Sequence, residues 1–274
     1  PHNAKIRALS FAHTGPHGGI LVAAGSRLSY SVWAWADVAE EEGGNRMLSS
    51  MPPLTLKAIQ AGSVEPNSTQ EHRILCTASL SMGNTLLFSL CDSRGYVYPL
   101  TVTTPSEVGK ENHQTVQMHA PLRPFSTPVL SCSLSAAPDG GHHESTVIAA
   151  FGSSSGQVAL WALSLSTSSV SSWLLLELPM HSMGANGVAL SLTGLPGTRG
   201  DGNTPTSQWK AIVVSGGDDQ AVCIASVILG RAESPEGSSR NLGDIVVMHS
   251  TLVRVQGVGG AALKGVCLWK ESEE

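Results

Sequence analysis

The chain of 274 residues carries a formal net charge of −5, with 41% hydrophobic and 14% charged side chains. Its Lys and Arg are scattered, without a block or interleaved aromatics, which excludes a nucleic-acid surface in its own right. No uninterrupted apolar run reaches about 18 residues, which excludes a helical membrane span, and no signal peptide is visible.

Taken along the chain, one pattern recurs four times: an apolar strand, a variable insert, a second apolar strand, a tight polar turn and a third strand. The first copy pairs residues 6–11 with 20–25 and continues through Tyr30, Ser31, Val32 and Trp33. The second pairs 74–80 with 86–91, turns at Asp92-Ser93-Arg94-Gly95 and runs on through 96–100. The third is the cleanest: 129–134, then 147–151, the turn Gly152-Ser153-Ser154-Ser155-Gly156, and a strand ending in Trp161. The fourth pairs 187–192 with 211–217, turns at Asp218-Asp219-Gln220 and continues through 221–225. A partial fifth copy begins near 261–268.

A strand, a polar turn and a strand ending in Trp is the sequence form of one β-propeller blade. The expected fold is therefore all-β: a β-propeller of about four blades plus a partial fifth. Its blade cores are expected near 4–35, 71–100, 126–163, 181–229 and 251–269, all within one unit spanning 1–274. With Trp33, Leu100, Trp161 and Ala225 as one column, the intervals are 67, 61 and 64 residues. A plain WD repeat needs only about 40–45. The excess falls in inserts at 36–53, 101–125, 136–145, 194–208 and 230–248, whose Gly, Ser, Pro and charge read as loops. Residues 170–178 fit an outer fourth strand as well as a short helix. Closed propellers use roughly four to eight blades. The reading therefore expects part of a longer protein, with apolar terminal faces that make the isolated piece poorly soluble.

The five cysteines (Cys76, Cys91, Cys132, Cys223, Cys267) lie in or beside strands without metal-type spacing, and read as buried, reduced thiols of a cytoplasmic protein. Asn67-Ser68-Thr69 matches a glycosylation sequon and reads as a chance match. His13, His17, His142 and His143 sit in Gly-rich loops without ligand partners, so no metal site is expected. The run 215–219 lacks the Lys and helix of a phosphate loop, and its two aspartates repel phosphate.

One motif points elsewhere. Residues 152–156 satisfy G-x-S-x-G, which in a hydrolase would make Ser154 the nucleophile, Asp201 or Asp219 the acid and His249 the base. A nucleophile elbow is followed by a helix, yet 157–161 alternates like a strand. The reading therefore assigns no catalytic residue. It assigns structural, WD-type positions to His181, Asp219, Trp161 and Trp33. In WD repeats a His, a strand Ser/Thr, a turn Asp and a Trp form a buried hydrogen-bond chain. Copy four keeps His181 and Asp219 but has Ala225 at the Trp column; copy three keeps Trp161 but has Ser155 in place of Asp. The repeats are degenerate, and apolar packing is expected to hold the blades.

The order of these copies resembles the WD-repeat protein 6 family. The resemblance is carried by residues 86–97, 129–133, 147–161, the His181-Ser182-Met183-Gly184-Ala185-Asn186 segment and the run 212–219, and covers about residues 4–229. It implies a non-catalytic, cytoplasmic scaffold subunit without a cofactor of its own. Its implied partner is an FtsJ-type tRNA ribose 2′-O-methyltransferase acting at the wobble position, with tRNA met indirectly through the complex. In keeping with that, no glycine-rich S-adenosylmethionine loop or α/β pattern is visible. The alternative is a generic WD-repeat adaptor in trafficking or ubiquitin ligation.

Overall fold

The computed structural model describes residues 5–15, 18–37, 54–65, 71–104, 114–138, 145–166, 169–195, 208–231, 245–257 and 262–268. These form four antiparallel sheets of four strands each, the blades of a β-propeller. Blade 1 holds β1 (Ile6–Gly15), β2 (Gly18–Gly25), β3 (Ser29–Asp37) and β4 (Leu54–Ser63). Blade 2 holds β5 (Ile74–Met82), β6 (Thr85–Asp92), β7 (Val97–Thr103) and β8 (Thr115–Met118). Blade 3 comprises β9 (Val129–Ala136), β10 (Ser145–Ser153), β11 (Gln157–Leu165) and β12 (Val170–Pro179). Blade 4 comprises β13 (Ala185–Leu195), β14 (Gln208–Gly217), β15 (Ala221–Arg231) and β16 (Ile245–Gln256). No helix is long and apolar enough to cross a membrane.

Position within the blade explains each strand's composition. A middle strand is covered on both faces by the neighbouring blades, so it reads as a continuous apolar run. Residues 86–92 of β6 and 146–153 of β10 are buried without interruption. Outer strands meet solvent and alternate, as β12 does; nearly all of β16 is exposed. The first strands β1, β5, β9 and β13 lie side by side. Three apolar clusters fill the three seams. Ile20, Val22 and Tyr30 meet Phe88 and Leu100 between blades 1 and 2. Leu87 and Val97 meet Phe151 and Leu163 between blades 2 and 3. Leu160 and Met180 meet Trp209 and Val227 between blades 3 and 4. Each such side chain contributes about 1.5–3 kcal/mol, against about 1 kcal/mol for a hydrogen bond. The seams therefore outweigh any polar lock.

The turn from second to third strand shares one feature in every blade. Its last position is left-handed each time: Leu28 (φ 52°), Gly95 (92°), Gly156 (85°) and Gln220 (60°); blade 1 adds a second left-handed residue at Arg27 (φ 57°). Glycine is required where the next connection presses close. A Cβ on Gly95 would meet the carbonyl oxygens of Phe125 and Thr127, and one on Gly156 those of His181 and Met183.

Several stretches depart from the sequence reading. The expected loops 101–125 and 230–248 contain the end of β7, all of β8, the end of β15 and the start of β16. Residues 251–256, placed at the start of the partial fifth copy, belong to β16, the outer strand of blade 4. Residues 170–178, read as either an outer fourth strand or a short helix, lie in the outer strand β12. Residues 262–268 form no strand but lie on blade 4, where the Leu263 N–H donates to the Gly217 carbonyl at 3.1 Å.

Candidate functional site

The column of Trp33, Leu100, Trp161 and Ala225 is a column of equivalent register positions. Each pairs with the second-strand residue three places before its pairing ends: Leu21, Phe88, Ala149 and Val213. Side chains in this column point toward the preceding blade. Leu100 joins the seam with blade 1 and Ala225 the seam with blade 3, whereas Trp33 lies on the open face of blade 1.

At the turns of blades 2, 3 and 4 the connection into the blade is tied to the residue just before the left-handed position, and each does so with different chemistry. In blade 4, His181 Nδ1 lies 2.9 Å from Asp219 and Nε2 lies 2.8 Å from the Ser215 hydroxyl. A carboxylate only accepts, so Nδ1 carries a proton, and Nε2 and the Ser215 hydroxyl share the second hydrogen bond. Asp219 also accepts from the Ser182 and Ala221 N–H groups and from Arg254 at 2.7 Å. Burial alone would raise its pKa, but the donors of Ser182, His181 and Ala221 overcome that and hold it at about 2. The next residue, Asp218, accepts from Lys264 at 2.8 Å and Asn186 at 2.7 Å, and the Lys264 bond lowers its pKa.

Blade 3 replaces this lock largely with apolar side chains. Phe125 holds against Gly95 the place that His181 holds against Gly156, and Phe151 takes the register position of Ser215. Both phenylalanines join the seam cluster. Trp161 keeps its indole, but its Nε1 is buried with no partner because Phe151 offers no acceptor. Ser155, at the Asp position, retains a contact with Thr127 at 3.4 Å. Blade 2 uses an ionic lock: Arg94 grips Glu65 through two hydrogen bonds of 3.0 and 2.6 Å and reaches the buried Asp92 at 2.9 Å. The Arg94 bond lowers the Glu65 pKa, while burial raises that of Tyr98 beside it.

The hydrolase candidates do not converge. Strand β11 begins directly after Gly156, so the G-x-S-x-G run is a hairpin turn rather than an elbow. Ser154 lies in the turn of blade 3, His249 is on the exposed outer strand of blade 4, and Asp219 is engaged in its own lock. Asp201, His17, His142, His143 and the Asn67 sequon lie outside the described residues. His13 packs edge-on against Trp35, with ring centroids 5.4 Å apart.

Two features were not legible in the sequence. The first is an open apolar face on blade 1. Register rows carry Phe11, Leu21 and Trp33 in one line, and His13, Trp35 and Leu56 in the next, without a charged side chain. Leu9 is 55% exposed, Phe11 57% and Leu56 55%. On blade 4, Ile224, Val253 and Val255 form a similar but smaller exposed row. The second is a convergence of thiols: the sulfurs of Cys76, Cys91 and Cys132 lie within 4.8 Å of one another. Cys91 and Cys223 are buried, but Cys267 is exposed, contrary to the expectation of a buried thiol.

No protein-family model matches the chain, and no curated protein matches it. Among solved structures, Sqt1 of Saccharomyces cerevisiae is similar at 11% identity and a TM-score of 0.41, covering 91% of this chain and 62% of its own. The chain thus spans less than two thirds of that protein's length. Sqt1 of Chaetomium thermophilum, solved bound to the N-terminus of ribosomal protein L10, is similar at 13% identity and a TM-score of 0.39, covering 84% of this chain and 71% of its own.

Proposed function

We propose that this chain is a non-catalytic, propeller-type interaction scaffold whose open blade 1 face receives a protein partner. The observation that carries this reading is the uncharged row system of Leu9, Phe11, Leu21, Trp33, Trp35 and Leu56, with three of those side chains more than half exposed. Interface cores are depleted in charge and enriched in aromatics, and exposed apolar patches of this kind mark interaction sites. The polar clusters are engaged in locking blades together, which supports a role in presentation rather than turnover.

Within that class, the resemblance of residues 86–97, 129–133, 147–161 and 181–186 supports a finer reading. In it the chain is the cytoplasmic WD-repeat subunit that holds an FtsJ-type methyltransferase for wobble-position ribose methylation of tRNA. A general adaptor in trafficking or ubiquitin ligation is the other member of the class, and the open face supports the two equally. Affinity capture of the full-length protein followed by mass spectrometry separates them. A methyltransferase retained with tRNA supports the finer reading, and sorting or ligase components without it support the adaptor. The scaffold proposal itself fails if no protein is retained in stoichiometric amount.

A further inference from the structure

Cys76 on β5 and Cys91 on β6 are direct cross-strand partners, placed just after a register shift in the pairing of the two strands. Cys132 stands on β9, the first strand of blade 3, which packs beside β5. The three side chains therefore meet at the seam of blades 2 and 3, and belong to or pack against its cluster of Val97, Val129 and Phe151. All three are free thiols. No other group of three or more ligating side chains converges among the described residues.

We infer that Cys76, Cys91 and Cys132 form a three-sulfur site for a single thiophilic metal ion, with the monovalent ion Cu(I) fitting its donor set. Soft thiolate donors select Cu(I), zinc or iron–sulfur chemistry over hard cations. Structural zinc requires four ligands, and the group supplies three sulfurs without a neighbouring imidazole or carboxylate. With a metal–sulfur distance of about 2.3 Å, three sulfurs around one ion stand about 4.0 Å apart. The observed spacing of up to 4.8 Å closes to that value by small rotations of the cysteine side chains.

An arriving cation replaces the thiol protons, which leave to solvent. Cys91 is buried, while Cys76 and Cys132 are partly exposed. Because its ligands come from two blades, a bound ion clips blade 2 to blade 3.

The test is anaerobic titration of the full-length, reduced protein with Cu(I) against a competing chelator, together with sulfur-coordination analysis by X-ray absorption. One ion per chain, bound by three sulfurs, is expected. Cys132→Ser is expected to weaken uptake by more than about tenfold, given that even supporting residues around metal sites cost 10–100-fold; the exposed-thiol control Cys267→Ser should leave it unchanged. Uptake unaffected by Cys132→Ser, or a preference for Zn(II) without Cu(I) retention, overturns the assignment. If Cys132→Ser does not fold, the absorption spectrum of the loaded wild-type protein decides: fewer than three sulfurs overturns it.

Discussion

His181 and Asp219 show how much one satisfied polar pair contributes where the surroundings are dry. The His181 side chain is fully buried and that of Asp219 is 4% exposed, so removing either leaves a partner without its bond. Asp219 is held near pKa 2 in the fold and returns to about 3.9 when unfolded. A depressed carboxylate stabilises fully above the unfolded value and loses that contribution as pH falls through the folded one. Urea unfolding should therefore show an Asp219→Asn deficit of about 2 kcal/mol at neutral pH, shrinking between about pH 4 and pH 2. A deficit that does not change with pH would mean that the ionised carboxylate is not the stabilising species. His181 and Asp219, which residue type and spacing singled out, are hydrogen-bonded to each other. Ser215 was not singled out, since its run also reads as a turn motif. The thiol cluster was invisible: Cys76, Cys91 and Cys132 have no motif spacing, and only strand pairing and blade packing bring their sulfurs together.

At the scale of the element, the turn between second and third strands is the repeating device, and its left-handed position explains which substitutions a blade tolerates. Gln220 occupies at φ 60° a conformation that costs a side-chain-bearing residue about 1 kcal/mol or more. Gln220→Gly should raise the unfolding free energy by up to about 1 kcal/mol, offset in part by glycine's larger unfolded-state entropy. Gly156→Ala should act the opposite way and cost more, because its Cβ would also meet the carbonyls of His181 and Met183. Equal melting temperatures for the wild type and both variants would contradict this account of the turn. Middle strands such as β6 and β10 were readable as short continuous apolar runs between turn residues. Outer strands were harder. The four-residue β8 sits inside a stretch of loop composition, and exposed β16 lacks the alternation that a half-buried strand shows.

Across the whole molecule, three apolar seams join four blades in series, and no hydrophobic cluster among the described residues joins blade 1 to blade 4. The locks vary from ionic in blade 2 to largely apolar in blade 3 while the architecture is kept. That variation accounts for the fold being legible while its repeats are degenerate. The outward faces of blades 1 and 4 carry the exposed apolar rows, and exposed apolar sheet faces drive association. In sedimentation, the chain without a partner should self-associate with rising concentration, and Phe11→Asp should reduce that tendency; a wild-type monomer at all concentrations would contradict it.

The central claim is that the open face of blade 1 is where a protein partner docks. The most direct measurement is quantitative capture by the full-length wild-type protein and by a Phe11→Asp/Leu56→Asp double variant, with circular dichroism confirming that both keep the β fold. The account predicts that the variant folds and loses the principal retained protein by at least about tenfold, as expected for charges buried unpaired in an interface. A folded variant that retains the same protein in the same amount would contradict it, and would move the interaction surface away from blade 1.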